Sequence, residues 1–254
     1  MEGDHNTHGA PLPPEEISAT KLKLNLNPDE KFYFPHDVVE DFREGFDYAK
    51  KEVLAWNVVL NDRMKDEDFK KDWNIAFSGK LPEFELPFYE CGQNVATRKV
   101  WGAFIESLAK KHLTLVGGSA DLEPSNVTEG FAKMVGDFSI ENNSGRNFAY
   151  GVREFPMGAM NNGIAQHGGF KVFGATFFVF SDYERPALRL RAIQNLPVVS
   201  EYTHDSIFVG EDGPTHQPIE HLMACRAIPN LLVLRPADAN EAVYACKIAF
   251  ELID

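Results

Sequence analysis

The chain has 254 residues, of which 44% are hydrophobic and 25% charged, so it can bury one sizeable core. Its formal net charge of -13 argues against nucleic acid or an anionic membrane surface as the main partner. Three cysteines without metal-type spacing (Cys91, Cys225 and Cys246) indicate free thiols in a reducing compartment. Residues 1–10 are polar, unlike a secretory signal, and no apolar run approaches the ~20 residues that span a bilayer. We expect a cytoplasmic protein that binds neither nucleic acid nor membrane.

The segment before residue 94 is broken by prolines around one long periodic stretch. Its apolar residues are spaced three and four apart, which predicts an amphipathic helix: Val39, Phe42, Phe46, Ala49, Val53, Trp56 and Leu60. Strand signals are few in this segment. We interpret residues 11–93 as a helical linker that lies across a larger body.

After residue 94 the pattern alternates between strands and helices. Helices are predicted at 96–110, 156–166, 182–193, 217–227 and 239–252, and strands at 113–116, 171–178, 197–203 and 231–234. Such alternation predicts an α/β domain at residues 94–254, with a doubly wound, mostly parallel sheet covered by helices on both faces. Ligands of such sheets bind at the carboxyl ends of the strands.

Two polar features precede the second predicted strand. Residues 117–126 carry two glycines and three polar side chains, Ser119, Asp121 and Ser125, which suit either a ligand loop or an ordinary capped turn. Arg98 follows Thr97, a candidate N-cap, and an arginine at a helix N-terminus is unfavourable unless an anion binds there; the alternative is a solvated surface charge.

Two further features surround the second predicted strand. Glu154 lies just before the helix predicted to start at Pro156, where a carboxylate can simply stabilise the helix N-terminus. An aromatic group straddles the end of the strand and is equally compatible with plain core: Phe173, Phe177, Phe178, Phe180 and Tyr183.

Residues 203–218 form the most unusual stretch, a loop with two histidines and three carboxylates. A metal site built from His204, Asp212 and His216 is conceivable, but no pair has the spacing of the strong metal motifs. Hydrogen bonding to a polyhydroxyl substrate fits these residue types best.

These stretches together resemble the transketolases. Residues 210–218 read Gly-Glu-Asp-Gly-Pro-Thr-His-Gln-Pro, similar to a signature of that family, and the segments 97–99, 117–126, 151–154 and 203–207 match in order and at compatible spacing. The resemblance covers about residues 8 to 252. It implies transfer of a two-carbon ketol unit from a ketose phosphate to an aldose phosphate, with thiamine diphosphate as cofactor.

The resemblance also implies roles for individual residues. Glu154 would hydrogen-bond the pyrimidine ring nitrogen of the cofactor and favour the imino tautomer that removes the thiazolium proton. Catalytic roles would also fall to His8 and His216. Residues of the pyrimidine pocket would be Phe177, Phe180 and Tyr183, with His8 near the diphosphate. Substrate-binding residues would be His8, Arg98, Ser125, His204, Asp212 and His216.

The sequence departs from the family at the metal site, because Gly136-Asp137-Phe138 lacks the second glycine of Gly-Asp-Gly…Asn. We therefore expect the Mg²⁺ ligands outside this chain and interpret residues 1–10 as the tail of a missing diphosphate domain. The chain would then be a fragment or a split subunit, inactive alone and completed in a homodimer or by a complementary chain. Two alternatives remain: a dihydroxyacetone synthase-like relative, and a non-catalytic partner module.

Overall fold

The computed structural model describes residues 3–251, and the chain divides into two units at Arg63 and Met64. The first unit contains a short 3-10 helix, His5–Thr7, and two α-helices, α1 (Pro14–Lys23) and α2 (His36–Arg63). Helix α2 confirms the amphipathic helix predicted from the apolar spacing. Its apolar stripe is solvent-exposed in this chain, since Phe42 and Trp56 are each more than half exposed.

The second unit contains three strands and eight α-helices within residues 64–251. The strands are β1 (Leu115–Ser119), β2 (Lys171–Phe177) and β3 (Val198–Thr203). The helices are α3 (Glu67–Phe77), α4 (Thr97–Ala109), α5 (Glu123–Asn126), α6 (Glu129–Val135), α7 (Glu154–His167), α8 (Ser181–Ile193), α9 (His221–Arg226) and α10 (Ala239–Glu251). A 3-10 turn, Phe178–Phe180, joins β2 to α8.

The strands form one parallel sheet in the order β1-β2-β3. Ser119 pairs with Ala175, and Phe177 pairs with Thr203, so the three carboxyl ends lie at one edge of the sheet. This arrangement confirms the predicted α/β class and places the polar segments that follow the strands side by side.

Helices cover both faces of the sheet, as predicted. On one face Trp101 and Phe104 of α4 and Phe250 of α10 pack around Phe173 of β2. On the other face Gly174 lies against α7, where a Cβ atom would come within 2.7 Å of the Asn161 side chain. A larger residue at position 174 would therefore displace the Asn161 side chain, whose Nδ2 donates to the Phe173 carbonyl.

The end of the predicted linker contacts the α/β body. Phe84 packs edge-on against Phe104, with ring centroids 5.4 Å apart. Tyr89 exchanges two backbone hydrogen bonds with the Asn240 side chain. The part of this segment that precedes α4 is therefore fastened to α4 and α10. Within residues 3–251 no helix is long and apolar enough to cross a membrane.

Four details of the predicted elements are wrong. Residues 231–234 form no strand; they line a cavity of about 410 Å³ together with residues 198–200 of β3 and make no ladder hydrogen bonds to that strand. Helix α7 begins at Glu154, and Pro156 lies inside its first turn, where a missing N–H costs nothing. The N-cap of α4 is Ala96, and α9 spans only His221–Arg226.

The buried His112 makes stability depend on pH. Its side chain is 0% exposed; burial lowers its pKa to about 4, and the charges of Lys171 and Arg146 add to the effect. Unfolding restores the ordinary pKa of 6.5, so below that pH the unfolded chain binds a proton that the folded chain excludes. The free energy of unfolding should therefore fall by about 3 kcal/mol from this residue as the pH drops from 7 to 4.

Urea denaturation of the chain and of His112→Gln, at several pH values, measures this contribution. The variant should lose stability less steeply than the wild type below pH 6.5, whatever its stability at pH 7. The exposed His167, changed to Gln, is the matched control and should leave the slope unchanged. Parallel pH curves for wild type and His112→Gln would contradict the assignment.

Candidate active site

The carboxyl edge of the sheet concentrates unusual backbone conformations. Asp121, Val127 and His204 have φ values of 63°, 55° and 52°, in the left-handed region that L-residues seldom adopt. Valine is especially disfavoured there because its branched side chain crowds the backbone. Such strain persists where surrounding contacts enforce it, commonly at functional sites.

Arg98 crosses from α4 to the loops that follow β1 and β3. Its Nη1 donates to the Ser125 backbone carbonyl at 3.0 Å and lies 3.5 Å from Nε2 of His204. The N-cap of α4, Ala96, offers no side-chain acceptor to the first-turn N–H groups. Guanidinium and helix N-terminus thus present positive charge at one place, which favours a bound anion.

His204 is held in one neutral form by its neighbours. Burial lowers the pKa of His204, the positive charge of Arg98 adds to this, and Asp212 and Asp205 act in the opposite direction. With Nε2 accepting from Arg98, Nδ1 carries the proton and donates to Thr203 Oγ1 at 2.9 Å.

A series of side-chain hydrogen bonds continues from His204 into the domain through residues that carry no predicted role. Thr203 Oγ1 donates to Asn126 Oδ1 at 2.8 Å, and Asn126 Nδ2 donates to Ser119 Oγ at 2.9 Å. All three side chains are buried. The ends of β1 and β3 and helix α5 are thereby tied together, which fixes the ring plane of His204.

The aromatic residues at the end of β2 form one stack with both histidines. The rings of Phe177 and Phe180 are nearly parallel, 6° apart in plane and 5.8 Å between centroids. His204 stacks on Phe177 at 3.8 Å, while His216 meets Phe180 edge-on at 5.3 Å. Tyr183 lies 6.1 Å from Phe180 and is largely exposed. Phe177 is only 7% exposed, so Phe180 and Tyr183 are the members of this stack that present aromatic surface to solvent.

Asp212 lies in the exposed loop between β3 and α9. Gly210 and Gly213 flank it with φ values of 94° and 77°, which only glycine adopts without strain. Its carboxylate is close enough to influence the pKa of His204. The loop therefore brings Asp212 and His216 to the same place as His204.

Glu154 is the first residue of α7 and only 7% exposed. Within residues 3–251 its carboxylate has no hydrogen-bond or ion-pair partner. One turn later Met157 packs against Tyr150 and against Ala120, which directly follows β1. Glu154 thus lies at the carboxyl edge of the sheet, as a buried acid without a partner.

His8 belongs to the first unit, where it is exposed after the 3-10 helix His5–Thr7. The described contacts bring together Arg98, Ser125, Phe177, Phe180, Tyr183, His204, Asp212 and His216. Ser125 joins this group through its backbone carbonyl rather than its hydroxyl. Glu154 shares their edge of the sheet, and the role of His8 stays a prediction.

Two charged residues near the site carry no prediction from the sequence. Glu201 of β3 and Arg235 line a cavity of about 770 Å³ together with Arg98. Burial raises the pKa of Glu201 well above its usual value, although Arg98 opposes the shift, and its Oε2 has no hydrogen-bond partner among the described residues. Arg235 pairs with Asp205 at 2.6 Å. A charged residue in the middle of a predicted strand was the signal available for Glu201.

Family models match both parts of the chain. The model described as transketolase, pyrimidine binding domain, matches residues 93–254, and the model described as transketolase, thiamine diphosphate binding domain, matches residues 1–82. The second match runs past residue 10, through most of the segment interpreted as a linker. The domain boundaries 1–10, 11–93 and 94–254 stay predictions.

The chain is similar to several known proteins. It is 49% identical to the transketolase of Geobacillus stearothermophilus over 99% of the chain and 38% of that protein. It superposes on a Pichia stipitis transketolase in complex with sedoheptulose 7-phosphate with a TM-score of 0.88 and 41% identity, over 98% of this chain and 38% of that one. An inactive beta4 tetramer of a split-gene transketolase gives a TM-score of 0.51 and 29% identity, over 63% of this chain and 49% of that one.

The chain thus spans well under half the length of the relatives that it matches. The pyrimidine-domain model nevertheless covers the whole predicted α/β domain, including Arg98, Glu154, His204 and His216. On this match the chain belongs to the transketolase family.

Proposed function

We propose that this chain forms the pyrimidine-binding side of a transketolase active site that transfers two-carbon ketol units between sugar phosphates. The observation that carries the proposal is that Arg98 contacts His204, and His204 in turn stacks on Phe177, beside Phe180, at the carboxyl edge of the sheet. This arrangement places a positively charged site for an anion beside an aromatic surface. A phosphorylated substrate bound next to a planar cofactor requires both.

The residues present fit the pyrimidine ring of thiamine diphosphate. Phe177 and Phe180 offer a stacking surface, and Glu154 is a buried acid without a protein partner. When bound, the cofactor supplies a thiazolium ring that serves as an electron sink for breaking and forming the carbon–carbon bond. Glu154 would share a proton with a pyrimidine nitrogen through its carboxyl oxygen, and the protein around it would exclude competing water.

The other side chains divide substrate recognition between two ends. Arg98 and the N-terminus of α4 would hold the phosphate, because positive charge converges there, and His204 would donate to it from Nε2 once the charge of the phosphate favours the protonated ring. Asp212 and His216 would bind hydroxyl and carbonyl oxygens nearer the reacting carbons. The Thr203–Asn126–Ser119 chain would keep His204 oriented toward the phosphate.

The rest of the proposal concerns the complete assembly. Mg²⁺ and the diphosphate would be held outside the α/β domain, His8 would approach from the diphosphate side, and a homodimer or a complementary chain would complete the site. We further propose a cytoplasmic location and no activity for this chain alone. The relative described as an inactive beta4 tetramer supports the last point.

Substitutions should separate phosphate binding from hydroxyl binding. In a protein of full family length that carries these residues, Arg98→Ala and His204→Ala should each weaken use of phosphorylated donors by about 1.5–3 kcal/mol, the scale of a hydrogen bond to a charged group. Kinetics with phosphorylated and unphosphorylated ketol donors measure this. The unphosphorylated donor should be little affected, whereas Asp212→Ala should impair both.

Lys99→Ala is the matched control, since Lys99 is the exposed neighbour of Arg98 on α4. It should leave both donors unaffected. Equal losses for all three site variants on both donors would refute this division of recognition.

A further inference from the structure

Three side chains outside the proposed active site converge beside the start of α8. Asp182 Oδ2 lies 3.1 Å from His221 Nε2, and Glu220 Oε2 lies 3.9 Å from His221 Nδ1. One potential ligand atom from each residue lies within 4.8 Å of the other two. The sequence predicts no metal ligand in this chain, because it lacks the Gly-Asp-Gly…Asn motif. We propose that His221, through Nε2, and Asp182 bind a divalent transition-metal ion, with Zn²⁺ as the best match, and that the exposed Glu220 side chain turns toward the ion as the third ligand.

The imidazole of His221 is the strongest indication. Its side chain is 5% exposed, and neither ring nitrogen has a hydrogen-bond partner among the described residues. A buried polar group without a partner is destabilising, so a ligand for this ring would remove a cost.

The distance between His221 and Asp182 also fits a shared ion. At 3.1 Å the two atoms are at ion-pair distance, but the ring nitrogen is not aligned with the oxygen as a good hydrogen bond requires. Two atoms bonded to one Zn²⁺ at about 2.1 Å lie roughly 3.0–3.4 Å apart, and the ion rather than the second atom occupies the lone-pair direction.

Arg185 orients the carboxylate for this task. Its Nη2 donates to Asp182 Oδ1 at 2.7 Å, which leaves Oδ2 directed toward His221. Outer partners of this kind hold ligating carboxylates in place in metal sites. The guanidinium also cancels part of the negative charge, so we expect micromolar rather than nanomolar affinity.

The ligand set selects the kind of metal. An imidazole nitrogen with two carboxylate oxygens suits Zn²⁺ or Co²⁺, whereas Mg²⁺ prefers oxygen ligands alone. The ion would join the first turn of α8 to the first residue of α9. The His221 ring lies 5.8 Å from that of Phe178, so the ion would brace the 3-10 turn that carries Phe180.

Calorimetry with the 254-residue chain, freed of metal by a chelator, tests the site. We expect one Zn²⁺ per chain with a Kd on the order of 10 µM and no comparable binding of Mg²⁺. A Zn²⁺ concentration of about 1 mM should raise the melting temperature by roughly 5 °C. His221→Gln and Asp182→Asn should weaken Zn²⁺ binding at least ~10-fold.

Two further variants keep the test decisive. Glu220 is 74% exposed, so Glu220→Gln should fold normally and still weaken Zn²⁺ binding, even if a buried substitution does not fold. His216→Gln should retain the site, which separates it from His204, Asp212 and His216. The proposal would be overturned if Glu220→Gln and His221→Gln bound Zn²⁺ as the wild type does, or if His216→Gln lost Zn²⁺ binding. Equal binding of Mg²⁺, or no saturable binding of Zn²⁺, would also overturn it.

Discussion

Replacing Glu154 by Gln in a protein of full family length should lower turnover by roughly 10³–10⁴-fold. The carboxylate and the amide have nearly the same shape, so folding and pyrimidine stacking should survive. The amide, however, cannot exchange a proton with the pyrimidine nitrogen. Steady-state kinetics under saturating thiamine diphosphate isolate this loss from any weaker binding.

Glu129→Gln provides a matched control for Glu154→Gln. Glu129 is also the first residue of its helix, α6, but it is exposed and pairs with Lys133 at 2.6 Å. Losing a first-turn charge there should cost a few tenths of a kcal/mol in stability and nothing in turnover. Near-normal turnover of Glu154→Gln, with cofactor bound, would remove Glu154 from the proton-transfer step.

Local sequence patterns predicted the fold class and the positions of α2, α4, α7, α8 and α10, whereas α1, α5 and α6 were not predicted. The sequence signals for α2 and α4 come from residues only a few positions apart. The predicted positions of these two helices therefore differ little from the observed ones. The strand predicted at 231–234 failed because a strand needs a neighbour at bonding distance, and β3 lies across a cavity. Spacing within one segment carries no information about that distance.

Residues of the candidate site were predictable from sequence only where several functional side chains occur close together in one segment. Arg98 and His204 were identified by resemblance, but their contact joins positions more than one hundred residues apart. The hydrogen bond between Thr203 and Asn126 connects β3 with the segment that follows β1, and the sequence did not predict it. Glu184 was also missed, although it is fully buried and bonded to Arg191 and Tyr202. Long-range polar contacts of this kind leave no periodic signal.

The second large effect concerns cofactor binding by the 254-residue chain alone. Most of the charge of thiamine diphosphate lies on its diphosphate, which a divalent cation with oxygen ligands normally neutralises. No Gly-Asp-Gly…Asn motif occurs in the sequence to supply those ligands. Binding would then depend on stacking against Phe177 and Phe180 and on one hydrogen bond from Glu154. We expect a Kd no better than roughly 1 mM.

Calorimetric titration of thiamine diphosphate with MgCl₂ into the chain tests this expectation, with a protein of full family length as the positive control. The chain should also self-associate in sedimentation experiments, because Tyr183 and the stack beside it offer exposed apolar surface. Adding a separately produced diphosphate-binding domain should restore tight, magnesium-dependent binding if the two sides of the site complement each other. Micromolar, magnesium-dependent binding by the chain alone would instead mean that these 254 residues contain a diphosphate site. The cofactor-binding site would then not be shared between this chain and a second domain.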